Sequence, residues 1–94
     1  MYERKVLLKD VLMLLDRSLS TPLSTRELAE AFVRYYPPSR PEDRVDAEEC
    51  VELEINEKLH VAHQAGMVRI SRRERTVVYS LTSAGIHFLH GDRA

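Results

Sequence analysis

The densest chemistry in this chain is a run of guanidinium groups. Arg72, Arg73 and Arg75 fall within four residues, with Arg69 just before them and Glu74 the one acid among them. Planar guanidinium forks make charge-assisted bonds to phosphate oxygens, so a cluster of this kind suits a polyanion. An opposing feature precedes it. From Pro41 to His60 there are eight acids and only two bases, Arg44 and Lys58. Within that run Glu48, Glu49 and Glu52 form an acidic group that would suit a basic protein partner and would be repelled by a phosphate-lined groove. The two features point to different partners, and both stay open at this stage.

Other chemistry is sparse. His60 and His63 stand three apart with Glu57 one turn earlier, which is short of the three or four ligands a metal site needs. No Gly-rich phosphate loop and no motif pairing a nucleophile with its base is present, so no catalytic residue is assigned and no enzyme is expected. No cofactor and no metal is expected either. Cys50 is the one cysteine, which excludes an internal disulfide, and it reads as a small buried or boundary residue.

The elements that must position these groups follow from periodicity. Leu8, Val11, Leu12, Leu15 and Leu19 repeat at helical spacing and predict a first helix over about 3–19, with Leu7 and Leu14 widening its apolar stripe. Ser20-Thr21-Pro22 ends it. Ser24-Thr25-Arg26-Glu27 reads as a capping box that opens a second helix to about Tyr36, with Leu28, Ala29, Phe32, Val33 and Tyr36 inward. Pro37, Pro38 and Pro41 make a rigid connector. Asp46 is the expected N-cap of a third helix, with Glu49 at the box position. Val51, Ile55, Leu59 and Ala62 form the buried stripe of that helix, and Gly66 closes it in a left-handed conformation. Asn56, Glu49 and Leu53 face outward. The period then changes: Met67–Ser71 alternates as a strand with one buried face, Arg72–Arg75 is a polar turn, and Thr76–Leu81 is a second strand. Thr82 caps a last short helix with Ile86, Phe88 and Leu89, which stops at Gly91.

Helix, helix, helix, strand, basic turn, strand is the order of the winged helix-turn-helix, and three segments resemble it. Ser24-Thr25-Arg26-Glu27-Leu28-Ala29-Glu30-Ala31-Phe32 looks like its second helix. Ala65-Gly66-Met67-Val68 is similar to the "AGLI" that ends many of its recognition helices. Val78-Tyr79-Ser80-Leu81-Thr82-Ser83-Ala84-Gly85 is similar to the "Y-x-L-T-x-x-G" that closes many of its wings. MarR-like and PadR-like regulators, and accessory winged helices of larger DNA-processing proteins, are resembled about equally. The chain departs from the simple motif in a connector of about ten residues and in a third helix of nearly twenty.

The expected fold class is therefore mostly α with a small antiparallel β-wing: a three-helix core, a two-stranded wing and a short C-terminal helix, with residues 1–94 as one domain. The resemblance implies a transcription regulator that binds double-stranded DNA. Arg69, Arg72, Arg73 and Arg75 of the wing would be its main contacts. Thr25, Arg26 and Asn56 would be secondary ones. The alternative is a protein-interaction or dimerisation module that uses Glu48, Glu49 and Glu52. The wide apolar stripe of the first helix and the apolar last helix suggest a homodimer. The charged N-terminus suits neither a signal peptide nor a membrane span, so the expected location is the cytoplasm, with no membrane partner.

Overall fold

The computed structural model describes residue 2 and residues 4–18 and 21–91. It contains α1 (Leu8–Arg17), α2 (Thr25–Tyr35), a single 3₁₀ turn (Pro41–Asp43), α3 (Arg44–Gln64), β1 (Val68–Arg73), β2 (Thr76–Leu81) and α4 (Ser83–His90). The fold is mostly α with a small antiparallel β-wing, as the periodicity predicts.

The first helix starts later than expected. Residues 4–7 are not helical; Val6 is buried instead, and its N–H donates to Glu54 Oε1 of α3 at 3.0 Å. Asp10 then accepts from the Leu7 N–H at 3.0 Å and satisfies one of the orphan donors of the helix start. Val11, Leu12 and Leu15 of α1 are buried against the core. Glu3, Leu19 and Ser20 from the predicted span and break lie outside the described residues.

The capping box of α2 forms as read. Ser24 Oγ accepts from the Glu27 N–H at 3.1 Å, and Glu27 Oε1 accepts from the Ser24 N–H at 2.9 Å. Leu28, Ala29, Phe32 and Val33 are buried.

The start of α3 differs from the sequence reading. The 3₁₀ turn begins at Pro41, whose fixed φ pre-sets a helical entry, and the helix continues from Arg44. Asp46 therefore sits in the first turn, where its charge complements the helix dipole, and does not cap. Asp43 at the cap position makes no side-chain cap bond; its carboxylate accepts from Arg40 Nε at 3.2 Å. The stripe is buried as predicted, from Val51 through Ile55 and Leu59 to Ala62, and extends one turn back to Ala47.

The exit from α3 is a Schellman motif. The Met67 N–H donates to Ala62 O at 2.9 Å and the Gly66 N–H to His63 O at 3.0 Å, with Gly66 at φ 77°. Thr82 returns the chain to the same place. Its N–H donates to Met67 O at 3.0 Å, its hydroxyl donates to Gly66 O at 2.6 Å, and it accepts from the Gly85 N–H at 3.1 Å to cap α4.

Gly85, the glycine of the wing-closing signature, has a steric reason to be glycine. A Cβ there would lie 2.2 Å from Met67 O and 2.8 Å from a Leu81 methyl. Gly85→Ala is expected to lower stability by roughly 1–3 kcal/mol, as overpacking does, measured by urea unfolding. An unchanged midpoint would show that the junction can open.

Candidate nucleic-acid interface

The wing pairs Val68 with Leu81, Ile70 with Tyr79, Arg72 with Val77 and Arg73 with Thr76. Pairing thus extends two residues beyond the predicted first strand. Arg72 and Arg73 are strand residues, and the turn is only Glu74-Arg75, with Glu74 at φ 59° in the left-handed region that two-residue hairpin turns often need. The expectation of three arginines at the tip is corrected to one.

Strand placement separates the arginines, because successive residues face opposite sides. Arg72 shares a face with Val68 and Ile70; Arg69 and Arg73 share the other with Ser71. Val68, the one buried residue of β1, lies on the first face, while Val78 of β2, opposite Ser71, is buried on the second. The reason lies on the far edge of β2. Leu23, in the segment before α2, exchanges both backbone hydrogen bonds with Tyr79 at 3.0 and 2.8 Å, and so draws the second face toward the helices.

Arg73 is tied down. Its Nη2 donates to Glu27 Oε1 at 2.8 Å and its Nη1 to Pro22 O at 3.2 Å. Glu27 thus serves the cap of α2 and the wing at once. The Ser24 N–H, and after it the Arg73 guanidinium, hold the Glu27 carboxyl below its ordinary value. By contrast, Arg69, Arg72 and Arg75 are exposed and have no ion-pair partner among the described residues.

The other predicted contacts are brought near one another, with their charges partly spent. Thr25 Oγ1 donates to Glu52 Oε2 at 3.3 Å, and Arg26 lies 3.9 Å from Glu52 Oε1 and 3.6 Å from Glu30. A proposed DNA-contacting pair and a proposed partner-binding acid therefore hold each other. Arg44 Nε binds Glu48 at 3.2 Å, and Arg40 pairs with Asp43 and Glu42. Of Glu48, Glu49 and Glu52, only Glu49 is exposed without an ion pair among the described residues.

Asn56 lies where the wing meets α3. It lines an open groove of about 470 Å³ together with Glu57, His60, His63, Ile70 and Tyr79. His60, His63, Ile70 and Tyr79 were not singled out as contacts in the sequence. The alternation of β1 and the outward phase of α3 place them there, but only the packing of the wing against α3 joins them. Among the described residues no group of three or more His, Cys, Asp or Glu could hold a metal ion. Cys50 is exposed on α3, contrary to the expectation of a buried or boundary position; its place on the helix lies away from the stripe of Val51 and Ile55.

Compared with models of protein families, with curated proteins and with solved structures, the chain gives no match. Among the described residues no helix is long and apolar enough to cross a membrane.

The shared Glu27 has a pH signature. A carboxyl whose folded pKa is depressed adds stability above its unfolded value, about 4, and loses that contribution as pH falls through the folded value. The pair is partly exposed and therefore screened, so Glu27→Gln is expected to cost roughly 0.5–1 kcal/mol at neutral pH. The difference from the parent chain should shrink to nothing under acid. Thermal melts of both chains from pH 7 down to pH 3 measure this; a constant gap across that range would exclude a charged clasp.

Proposed function

We propose that this protein binds duplex DNA as a winged-helix regulator, with the wing as its main grip. Arg72 and Arg75 meet phosphates, Arg69 adds charge from the other face of β1, and Asn56 approaches from α3. Arg73 orients the wing instead of touching DNA. One observation carries this reading: the Arg69, Arg72 and Arg75 guanidiniums of the wing are exposed and in no ion pair among the described residues, while the α3 acids Glu48 and Glu52 are held by Arg44, Thr25 and Arg26. The composition overstates the acidity that DNA would meet, since Glu48 and Glu52 are both internally paired.

Fluorescence anisotropy with a mixed-sequence duplex, over a salt series, tests the reading. The double variant Arg72→Ala, Arg75→Ala is expected to bind about tenfold or more weakly, with its salt slope reduced by about 2, one for each lost phosphate contact. Undetectable binding by the parent chain at low salt, or an unaltered slope in the variant, would overturn it.

A second reading has one observation in its favour. Leu53 is 72% exposed on α3, between Glu49 and Asn56, where an apolar side chain contributes nothing to phosphate binding. A basic protein partner could use Leu53 and Glu49 together.

We also propose that the DNA-binding species is a homodimer. Ile86 and Phe88 of α4, a helix packed against α1, are about half exposed. Sedimentation is expected to show a dimer at high micromolar concentration and a monomer for Phe88→Asp. A monomeric parent chain at that concentration would remove this part of the proposal.

A further inference from the structure

The outer edge of β1 is open. The opposite edge of the sheet is closed where Leu23 exchanges both backbone bonds with Tyr79 at 3.0 and 2.8 Å. Antiparallel partners alternate between pairs that bond to each other and pairs whose backbone groups point away. Tyr79 spends its N–H and C=O on Leu23, so its partner Ile70 turns its own N–H and C=O outward, and Arg72, two residues on, does the same. Neither residue is covered: Ile70 is 43% exposed, and Arg72 is exposed as well. Their two donors and two acceptors stand at the spacing of a further strand and have no partner among the described residues.

The side chains along this edge decide what can pair with it. Arg69, Arg72 and Arg75 are exposed and in no ion pair among the described residues. Charge on an edge strand protects it from pairing with strands of the same kind. A second copy of this chain would set one arginine-rich strand against another, and like charges across a strand pair are destabilising. An acidic strand meets the opposite condition. Ile70 adds an apolar position, since it lines the groove of about 470 Å³ together with Tyr79, Leu59 and His60.

We propose that the outer edge of β1 binds an extended acidic peptide by strand addition. The backbone bonds supply affinity and the alternating side chains supply specificity. The added strand runs antiparallel, the more stable pairing. Residues directly opposite in a sheet share a face, so the preferred sequence can be read off β1. From its N-terminus the peptide sets an acid against Arg72, a Thr or Ser against Ser71, an apolar residue against Ile70 and an acid against Arg69. The apolar side chain enters the groove beside Ile70. Arg73 takes no part, because Glu27 and Pro22 hold it. Arg72 also belongs to the proposed DNA grip, but the backbone edge does not, and no DNA enters the test, so either reading can fail alone.

The probe is the peptide acetyl-Glu-Glu-Thr-Val-Glu-Glu-amide, titrated into the ¹⁵N-labelled chain and followed by NMR. Shifts are expected to centre on Ile70 and Arg72, and the amide protons of these two residues should exchange about tenfold or more slowly once the peptide is bound. The same peptide N-methylated at its valine and its second glutamate keeps every charge and loses the two donors that face Ile70 and Arg72. It is expected to bind about tenfold or more weakly. Four results would overturn the proposal. These are no shifts at millimolar peptide, shifts centred away from β1, equal binding of the N-methylated peptide, and protection of Ile70 and Arg72 that grows with protein concentration in the peptide-free chain. The third would mean attraction of charge alone, and the fourth an edge already paired with a second copy. Both peptides meet the unaltered chain, so no variant has to fold.

Discussion

The position of the wing depends on the backbone of one residue, Met67. Its N–H closes the Schellman motif on Ala62, and its carbonyl receives the Thr82 N–H after the chain has run out and back through both strands. Gly85 leaves room for that carbonyl at a distance no side chain would allow. Buried backbone groups left unpaired are costly, so these bonds hold the root of the hairpin to the end of α3. The wing is therefore an extension of α3, and its direction follows from how α3 ends.

A second attachment sets the tilt of the wing. Arg73 reaches Glu27 and Pro22 from the far end of β1, and Leu23 pairs with β2 along its outer edge. The start of α2 is thereby joined to both strands. Such partly exposed ion pairs contribute little individually, but here a carboxylate already ordered by a helix cap receives the guanidinium, which reduces the entropy lost on pairing. This leaves Arg72 of β1 and Arg75 of the turn exposed and in no ion pair among the described residues, with Arg72 on the strand face that carries Ile70 to the groove lined by Asn56.

Charge in this protein is organised more by pairing than by composition. Summed along the sequence, α3 and its approach look strongly acidic. In space Arg26, Arg40 and Arg44 cover Glu52, Asp43 and Glu48, and Glu54 accepts a backbone N–H from Val6. Asp46, Glu49 and Glu57 are exposed and in no ion pair among the described residues, Glu49 on the same side of α3 as the exposed Leu53. The acidity of α3 that is free to repel a polyanion is consequently less than the residue count implies.

Local chemistry carried the elements themselves. The Ser24–Glu27 box, the Val51–Ala62 stripe, the glycine at the end of α3 and the Thr82 cap each act within a few residues, so their spacing in the chain is enough to reveal them. The same locality explains the errors. The entry to α3 moved because a proline-initiated 3₁₀ turn competed with a side-chain cap at Asp46. The arginine turn shortened because strand register is set by the partner strand, which periodicity in one strand cannot specify. The roles of Arg73, Glu52 and Tyr36 came only with the tertiary structure. Their partners lie 46 residues away at Glu27, 27 away at Thr25 and 34 away at Tyr2, and no short-range pattern encodes a contact between groups that packing alone brings together.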